Sequence, residues 1–396
     1  MLNQRQLFLA HVAQTTDFPM LLEIERAEGI YIYDTQGKAY IDLVSGVSVS
    51  NVGHRHPSVV KAVQEQLDRY MHLMVYGEYI QSPQVKFADL LTSQLPSPLD
   101  AVYFVNSGSE AIEGAIKLAK RYTGRYEIVA FKNAYHGSTH GALSVLGDEY
   151  FKNAFRPLVP GVRFMDFNDS SLIEEIITKK TAAVLVEPVQ AEAGIRLPKE
   201  GFLKKLRDRC NATGTLLIFD EIQTGFGRLG SLFAMKKYGV YPDIFTIAKA
   251  MGGGMPIGAF VSSQKIMSVF KNNPILGHIT TFGGHPVSCA AAHASLEVLL
   301  NKDYIEKASE KGMLFRKHLN HQAIKEIRGE GLFLAVEMGD ADVVQRIMNN
   351  AVEAGIILDF FLFHDKAFRI APPLIINETQ IEDACERLNM VIEQSV

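Results

Sequence analysis

Cysteine is scarce in this chain, and what little there is does not pair. Cys210, Cys289 and Cys385 are odd in number, far apart and without a CxxC spacing. That argues against a disulfide framework or a metal site, and for small buried hydrophobes in a reducing compartment. Long apolar runs are missing as well: no segment approaches the roughly 18 residues of a membrane span. The stretch Leu7–Ala13 is broken by His11 and soon followed by Asp17, so it lacks the run and the small-residue cleavage site of a secretory leader. Neither sign of charge prevails, since 40 Lys+Arg stand against 44 Asp+Glu for a net −4. Nucleic acid and anionic membrane surfaces are therefore not expected as partners. Internal repeats, low-complexity tracts, a P-loop and HExxH are all absent. The expectation is a cytoplasmic protein that needs no metal.

What is present is an ordinary globular composition, 47% hydrophobic and 21% charged, in a chain of 396 residues, enough for two or more domains of roughly 100–200 residues. Short apolar runs alternate with helical patterns, the mark of a mainly parallel α/β sheet. Seven runs qualify as strands: Ala101–Val105, Ile128–Phe131, Val162–Asp166, Ala182–Glu187, Leu216–Asp220, Ile244–Ala248 and Gly258–Val261. Their β-branched and aromatic content suits strands buried on both faces. Ile112, Ala115, Ile116 and Ala119 recur at helical spacing in Ser109–Tyr122. Gly29–Lys38 reads as strand and turn of an antiparallel hairpin, and the C-terminal third turns helical, then ends in short strands and a helix near Glu378–Glu393. The expected division is an N-terminal segment of 1–49 joining a small domain, a large domain of 50–275, and a C-terminal small domain of 276–396.

Polar residues stand at the ends of several apolar strands, where open α/β sheets bind ligands. Leu216–Asp220 ends in Asp220 and Glu221, Ile244–Ala248 leads into Lys249 and a glycine triplet, and Ala183–Val186 leads into Glu187. Each has a plainer explanation: a strand-end carboxylate often caps the next helix, and a lysine there usually snorkels to water. Three on one sheet edge favour a site. Asn106-Ser107-Gly108-Ser109-Glu110 joins a strand to a helix N-terminus, an arrangement that either binds an anion or simply caps the helix. Gly225-Phe226-Gly227-Arg228-Leu229-Gly230 matches G-x-G-x-x-G, but four residues intervene after the strand, and Asp243 precedes the next strand instead of ending it. A dinucleotide site needs the opposite arrangement.

These motifs together resemble the class III (omega-amino) aminotransferases, of the acetylornithine, ornithine and 4-aminobutyrate transaminase type. The resemblance runs over nearly the whole chain through NSGSEA (Asn106–Ala111), YHG (Tyr135–Gly137), EPVQAEAG (Glu187–Gly194), LLIFDEIQTGFGRLG (Leu216–Gly230), AKAMGGGMPIGA (Ala248–Ala259), TTFGGHP (Thr280–Pro286) and FRIAPPL (Phe368–Leu374). It implies the fold type I of pyridoxal-phosphate-dependent transferases, with a large domain around a mainly parallel seven-stranded sheet and a smaller α+β domain. It also implies a homodimer that binds pyridoxal 5′-phosphate near the subunit interface. By the same resemblance Lys249 would hold the cofactor covalently and carry protons, which requires a lowered ammonium pKa. Asp220 would pair with the pyridine nitrogen and keep the ring an electron sink, and Gln223 would meet the ring hydroxyl. Ser107, Gly108 and Ser109 would hold the phosphate, Tyr135 and its neighbour His136 would lie at the ring, and Glu187 would stand near it. Thr281 would reach the phosphate of the neighbouring subunit.

On the substrate side the resemblance assigns Arg369 to a carboxylate through a bidentate fork. Glu192 would pair with Arg369 when the donor's reacting end carries no carboxylate. That implies alternation between an ω-amine donor, acetylornithine-like, and 2-oxoglutarate. Three positions depart from the family. Ser138 stands where an arginine usually grips the donor's distal carboxylate, which leaves an amine or diamine (putrescine-type) donor open; the family's 4-aminobutyrate transaminases are a further alternative. Val47 stands where a tyrosine accompanies free ornithine, and Ala191 replaces a usual glycine. An aminomutase of the glutamate-semialdehyde kind shares the fold but lacks the Gln-x-Glu of Gln190-Ala191-Glu192.

Overall fold

The computed structural model describes residues 3–396. Its centre is a sheet of seven strands, β4 (Ala101–Val105), β5 (Glu127–Phe131), β6 (Val162–Met165), β7 (Thr181–Val186), β8 (Leu216–Asp220), β9 (Ile244–Ile247) and β10 (Gly258–Ser262), in the order β4-β10-β9-β8-β7-β5-β6. β10 pairs antiparallel with both β4 and β9, and the remaining pairs are parallel. β10 alone therefore runs against the rest, and the carboxyl ends of the other strands share one edge. All seven runs expected from sequence are strands, with ends within a residue or so.

Alternation explains why each run reads as continuously apolar. Val184, Val186, Leu217, Phe219, Phe245 and Ile247 enter one hydrophobic cluster, while Ala183, Leu185, Leu216, Ile218 and Ile244 enter another with Ile112, Ala115 and Ala119 of the helix Gly108–Thr123. Successive side chains point to opposite faces, and both faces are covered. Ser107 starts that helix by accepting from the Glu110 amide, and Gly124, at φ 67°, ends it in the left-handed region, where glycine carries no Cβ penalty.

Three N-terminal strands, β1 (Ile24–Glu28), β2 (Tyr31–Asp34) and β3 (Ala39–Asp42), form an antiparallel meander. Its β2–β3 turn lies in the segment where sequence places a hairpin. β13 (Ile356–Ile357) adds to this sheet in parallel beside β3. The third sheet contains β11 (Glu326–Glu330), β12 (Phe333–Glu337), β15 (His364–Ile370) and β14 (Asp359–Phe361) in that order. The last helix, Glu378–Ser395, opens on an Asn377–Gln380 capping box, in which two orphan amides are satisfied reciprocally.

The glycine-rich loop of the G-x-G-x-x-G match joins these parts instead of holding a ligand. Gly227, at φ 93°, turns the chain so that Arg228 is fully buried. Its guanidinium donates to the carbonyls of Leu332 and Pro372, to Ser45 Oγ and to Asn51 Oδ1. Burial pulls it down to about 9, with Asp42 opposing. Ser45 begins a left-handed turn in which Ser45, Gly46, Val47 and Ser48 all have φ between 50° and 62°. Asp42 fixes the turn by accepting from the amides of Val44 and Ser45, both at 2.8 Å. Removing Arg228 leaves several buried acceptors unanswered, so Arg228→Ala is expected to cost about 3–5 kcal/mol, read as a lower midpoint in denaturant or thermal melts.

Candidate active site

The carboxyl edge of the central sheet opens into a cavity of about 400 Å³. Nine residues expected at the cofactor line it together: Ser107, Gly108 and Ser109 after β4, Tyr135 and His136 after β5, Glu187 after β7, Asp220 and Gln223 at the end of β8, and Lys249 after β9. Val49, Asn106, Ile222, Met255 and Ile257 complete much of the wall, and sequence reasoning did not single them out.

Asp220 sits almost fully buried on the cavity floor. His136 Nδ1 donates to Asp220 Oδ2 at 2.7 Å, and the Ile222 amide donates to Asp220 Oδ1 at 3.0 Å. His136 Nε2 is buried with no partner among the described residues. Glu187 accepts from the amides of Tyr135 and Ala191, each at 3.3 Å. Burial, then the charges of Asp220 and Glu192, push its carboxyl well above the usual range despite those hydrogen bonds. The adjoining Glu221 turns away from the cavity and caps the next helix, accepting from Met235 N at 2.9 Å and also from Ala234 N. For Glu221 the plainer explanation of a strand-end carboxylate is the right one.

Lys249 follows β9 in a tight turn with its own φ at 50°. Burial brings its ammonium down to about 8; Glu192 opposes that shift and Arg369 adds to it. Two glycines shape the opposite wall. A Cβ on Gly258, the first residue of β10, would lie 2.3 Å from the Ser107 carbonyl oxygen, and one on Gly108 would lie 2.8 Å from Ile222 Cδ1. The reversed strand and Ile222 are thus pressed directly against the turn that begins the helix. The first amides of that helix have no intrahelical acceptor, and its dipole favours an anion.

Arg369 lies beyond the cavity wall and is completely buried. Its Nη2 donates to Glu192 Oε1 at 2.7 Å, its Nη1 donates to Gln223 Oε1 at 3.3 Å, and Gln223 Nε2 donates to Glu192 Oε1 at 3.0 Å. Burial alone would raise the Glu192 carboxyl, but Arg369 and Gln223 hold it below its ordinary value. The β14–β15 hairpin secures Glu192 further, since the Leu362 amide donates to its other carboxylate oxygen at 3.2 Å. Asp359, on β14, stands 3.6 Å from Arg369 Nη1. It was not anticipated; the signal is the hairpin register that places Asp359 opposite Arg369. Three expected residues lie elsewhere: Val47 is half-buried outside the cavity wall, Ser138 is exposed, and Thr281 is exposed on another loop.

A model of the Aminotransferase class-III family matches residues 12–392. An acetylornithine aminotransferase of Methanopyrus kandleri is 40% identical over 380 residues, covering 96% of this chain and 95% of that protein. The ornithine aminotransferase of Toxoplasma gondii superposes with a TM-score of 0.91 at 31% identity, over 99% of this chain and 96% of that one. An (S)-enantioselective omega-transaminase from Thermomicrobium roseum gives a TM-score of 0.91 at 28% identity over the whole of both chains. The chain belongs to the class III aminotransferases and has their fold type I architecture. It is an omega-aminotransferase that depends on pyridoxal phosphate. The site fits that cofactor: a helix N-terminus for the phosphate, a buried carboxylate for the ring nitrogen and a primary amine shifted toward its neutral form all open into one cavity. Because the neutral amine is the nucleophile, capture of pyridoxal phosphate by cofactor-free protein should quicken about tenfold per pH unit. It should level off above about 8, as stopped-flow absorbance will read, and Lys249→Ala should show no such covalent phase.

Proposed function

We propose that this aminotransferase moves an amino group from an ω-amine donor, acetylornithine-like, to 2-oxoglutarate, giving an aldehyde and glutamate. The observation that carries this reading is the buried Glu192–Arg369 pair, 2.7 Å apart, next to Lys249. With Glu192 in place the guanidinium is neutralised, and a donor whose reacting end is a plain –CH2–NH3+ meets no unpaired cation. When Glu192 yields, Arg369 offers a fork to the carboxylate beside the acceptor's keto group.

Pyridoxal phosphate supplies the electron sink that makes a carbon-bound proton of the donor acidic. The chain's own residues do the rest. Lys249 takes and returns that proton, its amine held near neutrality by burial. Asp220 would pair with the ring nitrogen, and His136 holds that carboxyl group in place from 2.7 Å. Gln223 would reach the ring hydroxyl, and it joins Glu192 to Arg369. Ser107, Gly108 and Ser109 would hold the phosphate and Tyr135 would lie at the ring face, while burial and the charges of Asp220 and Glu192 push the Glu187 carboxyl toward its neutral form.

A diamine donor is the second reading, favoured by one observation. Ser138 is exposed and carries no charge, and Lys249 is the single Lys or Arg among the residues that line the cavity. No guanidinium on that wall grips a distal carboxylate. The relatives named for acetylornithine favour the first reading.

The protein acts as a homodimer in this reading. Segments 71–85 and 275–285 adjoin, with the His72 and Phe282 rings 4.8 Å apart and Gln84 Nε2 donating to the Gly284 carbonyl at 2.6 Å. They expose Met71, Ile80, Ile275, Leu276 and Phe282, an apolar surface of the kind that a partner covers. Thr281 lies on it, and its neighbour Thr280 accepts from Asn106 Nδ2 at 3.0 Å, beside the phosphate turn. Thr281 would reach the phosphate bound by the other subunit. Three free, buried cysteines fit a cytoplasmic location. Among the described residues no helix is long and apolar enough to cross a membrane.

A panel of N-acetylornithine, ornithine, 4-aminobutyrate, putrescine, lysine and β-alanine, each with 2-oxoglutarate, tests the donor. Glutamate formation fastest with N-acetylornithine supports the first reading, and fastest with putrescine the second. Glu192→Ala should lower kcat/KM for ω-amines relative to α-amino acids by about tenfold or more, since a charge-assisted partner of a buried guanidinium is lost. Unchanged selectivity would refute the alternation.

A further inference from the structure

Two carboxylates, not one, answer Arg369. Glu192 comes from the loop after β7, while Asp359 comes from β14, directly opposite Arg369 in the β14–β15 ladder. Residues opposed in such a pair project to the same face, and Asp359 Oδ2 lies 3.6 Å from Nη1. Its other oxygen accepts from the Phe360 amide at 3.0 Å. The two differ in how freely they can leave. Glu192 keeps the Leu362 amide as a partner at 3.2 Å when it lets go of the guanidinium. Asp359 has its backbone held opposite Arg369 by strand register, so its carboxylate stays within reach of the guanidinium unless the side chain turns toward water.

A substrate carboxylate that takes the place of Glu192 therefore still meets Asp359 on the same guanidinium. Like charges so close are relieved most simply by a proton on one of them. The Asp359 side chain is 27% exposed, so a proton can reach it from water. Resting on the reading that Arg369 receives the acceptor's carboxylate, we propose that Asp359 is a specificity-determining residue: it contests Arg369 with the substrate and makes carboxylate binding there depend on its own protonation.

The charged groups facing Asp359 are Arg369 on β15, Glu192 after β7 and Lys249 after β9. Burial pushes the Asp359 carboxyl above its ordinary value, with Glu192 adding to the shift and Arg369 and Lys249 opposing it. With Glu192 kept close by the Leu362 amide, an arriving carboxylate adds to its charge and raises Asp359 further, so the complex holds the proton more firmly than the free site. The sign follows: carboxylate affinity is highest at low pH and falls as pH rises through the window between the two values. ω-Amine donors with no carboxylate at the reacting end are spared this penalty.

The test uses the purified holoenzyme and glutarate, a dicarboxylate that cannot react. Kd is measured by calorimetry from the ordinary carboxylate range, about pH 4.5, up to about pH 8, and the wild type should weaken by about 3- to 10-fold as pH rises through the raised Asp359 range. Asp359→Asn should bind glutarate more tightly at the upper end by a similar factor and show a flat profile, with the cofactor's absorbance and the circular dichroism retained. Asp359→Ser serves with the same expectation should the asparagine variant fold poorly. A variant that keeps the wild-type slope, or binds more weakly at every pH, overturns the proposal and leaves Asp359 a mere support for Arg369. Arg369→Lys separates the two levels. If glutarate binding survives it unchanged, or the wild type binds no glutarate, the reading of Arg369 fails and this proposal with it. If Arg369→Lys abolishes binding while Asp359→Asn follows the wild type, only the role of Asp359 falls.

Discussion

A guanidinium with no access to water has to be answered from within the protein, and much of this site is arranged around that requirement at Arg369. Its carboxylate and amide partners come from three separate places: the loop after β7, the loop after β8 and the neighbouring strand β14. Charge burial on this scale is costly unless geometry is good and remaining polar groups are paired. Gln223 goes part of the way by bonding to both members of the Glu192–Arg369 pair, and the Leu362 amide pairs the second oxygen of Glu192, while Arg369 Nε has no partner among the described residues. The same cluster sets the field at Lys249, where Glu192 opposes the effect of burial and Arg369 reinforces it. Lys249 and the Glu192–Arg369 pair are electrostatically one unit.

The sheet was legible because its strands are apolar on both faces, and a break in that pattern marks a strand end. Asp220, Lys249 and Glu187 stand at such breaks, so their convergence on one edge follows once the strands are taken as parallel. β10 also read as a strand, yet nothing in its composition says that it runs backwards. That reversal brings Gly258 against Ser107, where a glycine is needed for close approach and not for a turn.

What stayed hidden depends on contacts distant in sequence. Arg228 sits in a glycine-rich stretch that resembles a nucleotide loop, and its partners lie at Ser45, Asn51, Leu332 and Pro372. Long-range acceptors of this kind leave no local pattern. Asp359 was hidden for a different reason: a hairpin register decides its neighbour, and the short strands near the C-terminus were visible only as a group. Val49, rather than Val47, faces the cavity, because the left-handed turn of Ser45–Ser48 re-aims the chain by an amount that spacing cannot supply. Glu221 shows the converse case, a strand-end carboxylate beside the site that serves only to cap a helix.

Lys249 occupies a backbone position that its chemistry suits and its conformation does not. A left-handed φ of 50° costs a residue with a Cβ on the order of 1 kcal/mol, a penalty that glycine escapes and asparagine partly escapes. Foldability alone favours those residues here, and under the proposed role of Lys249 it is the amine that holds the position at lysine. The side chain with the least chemical freedom in the protein is therefore also one that folding would readily exchange. A lineage released from catalysis would lose its amine here early while keeping its architecture intact.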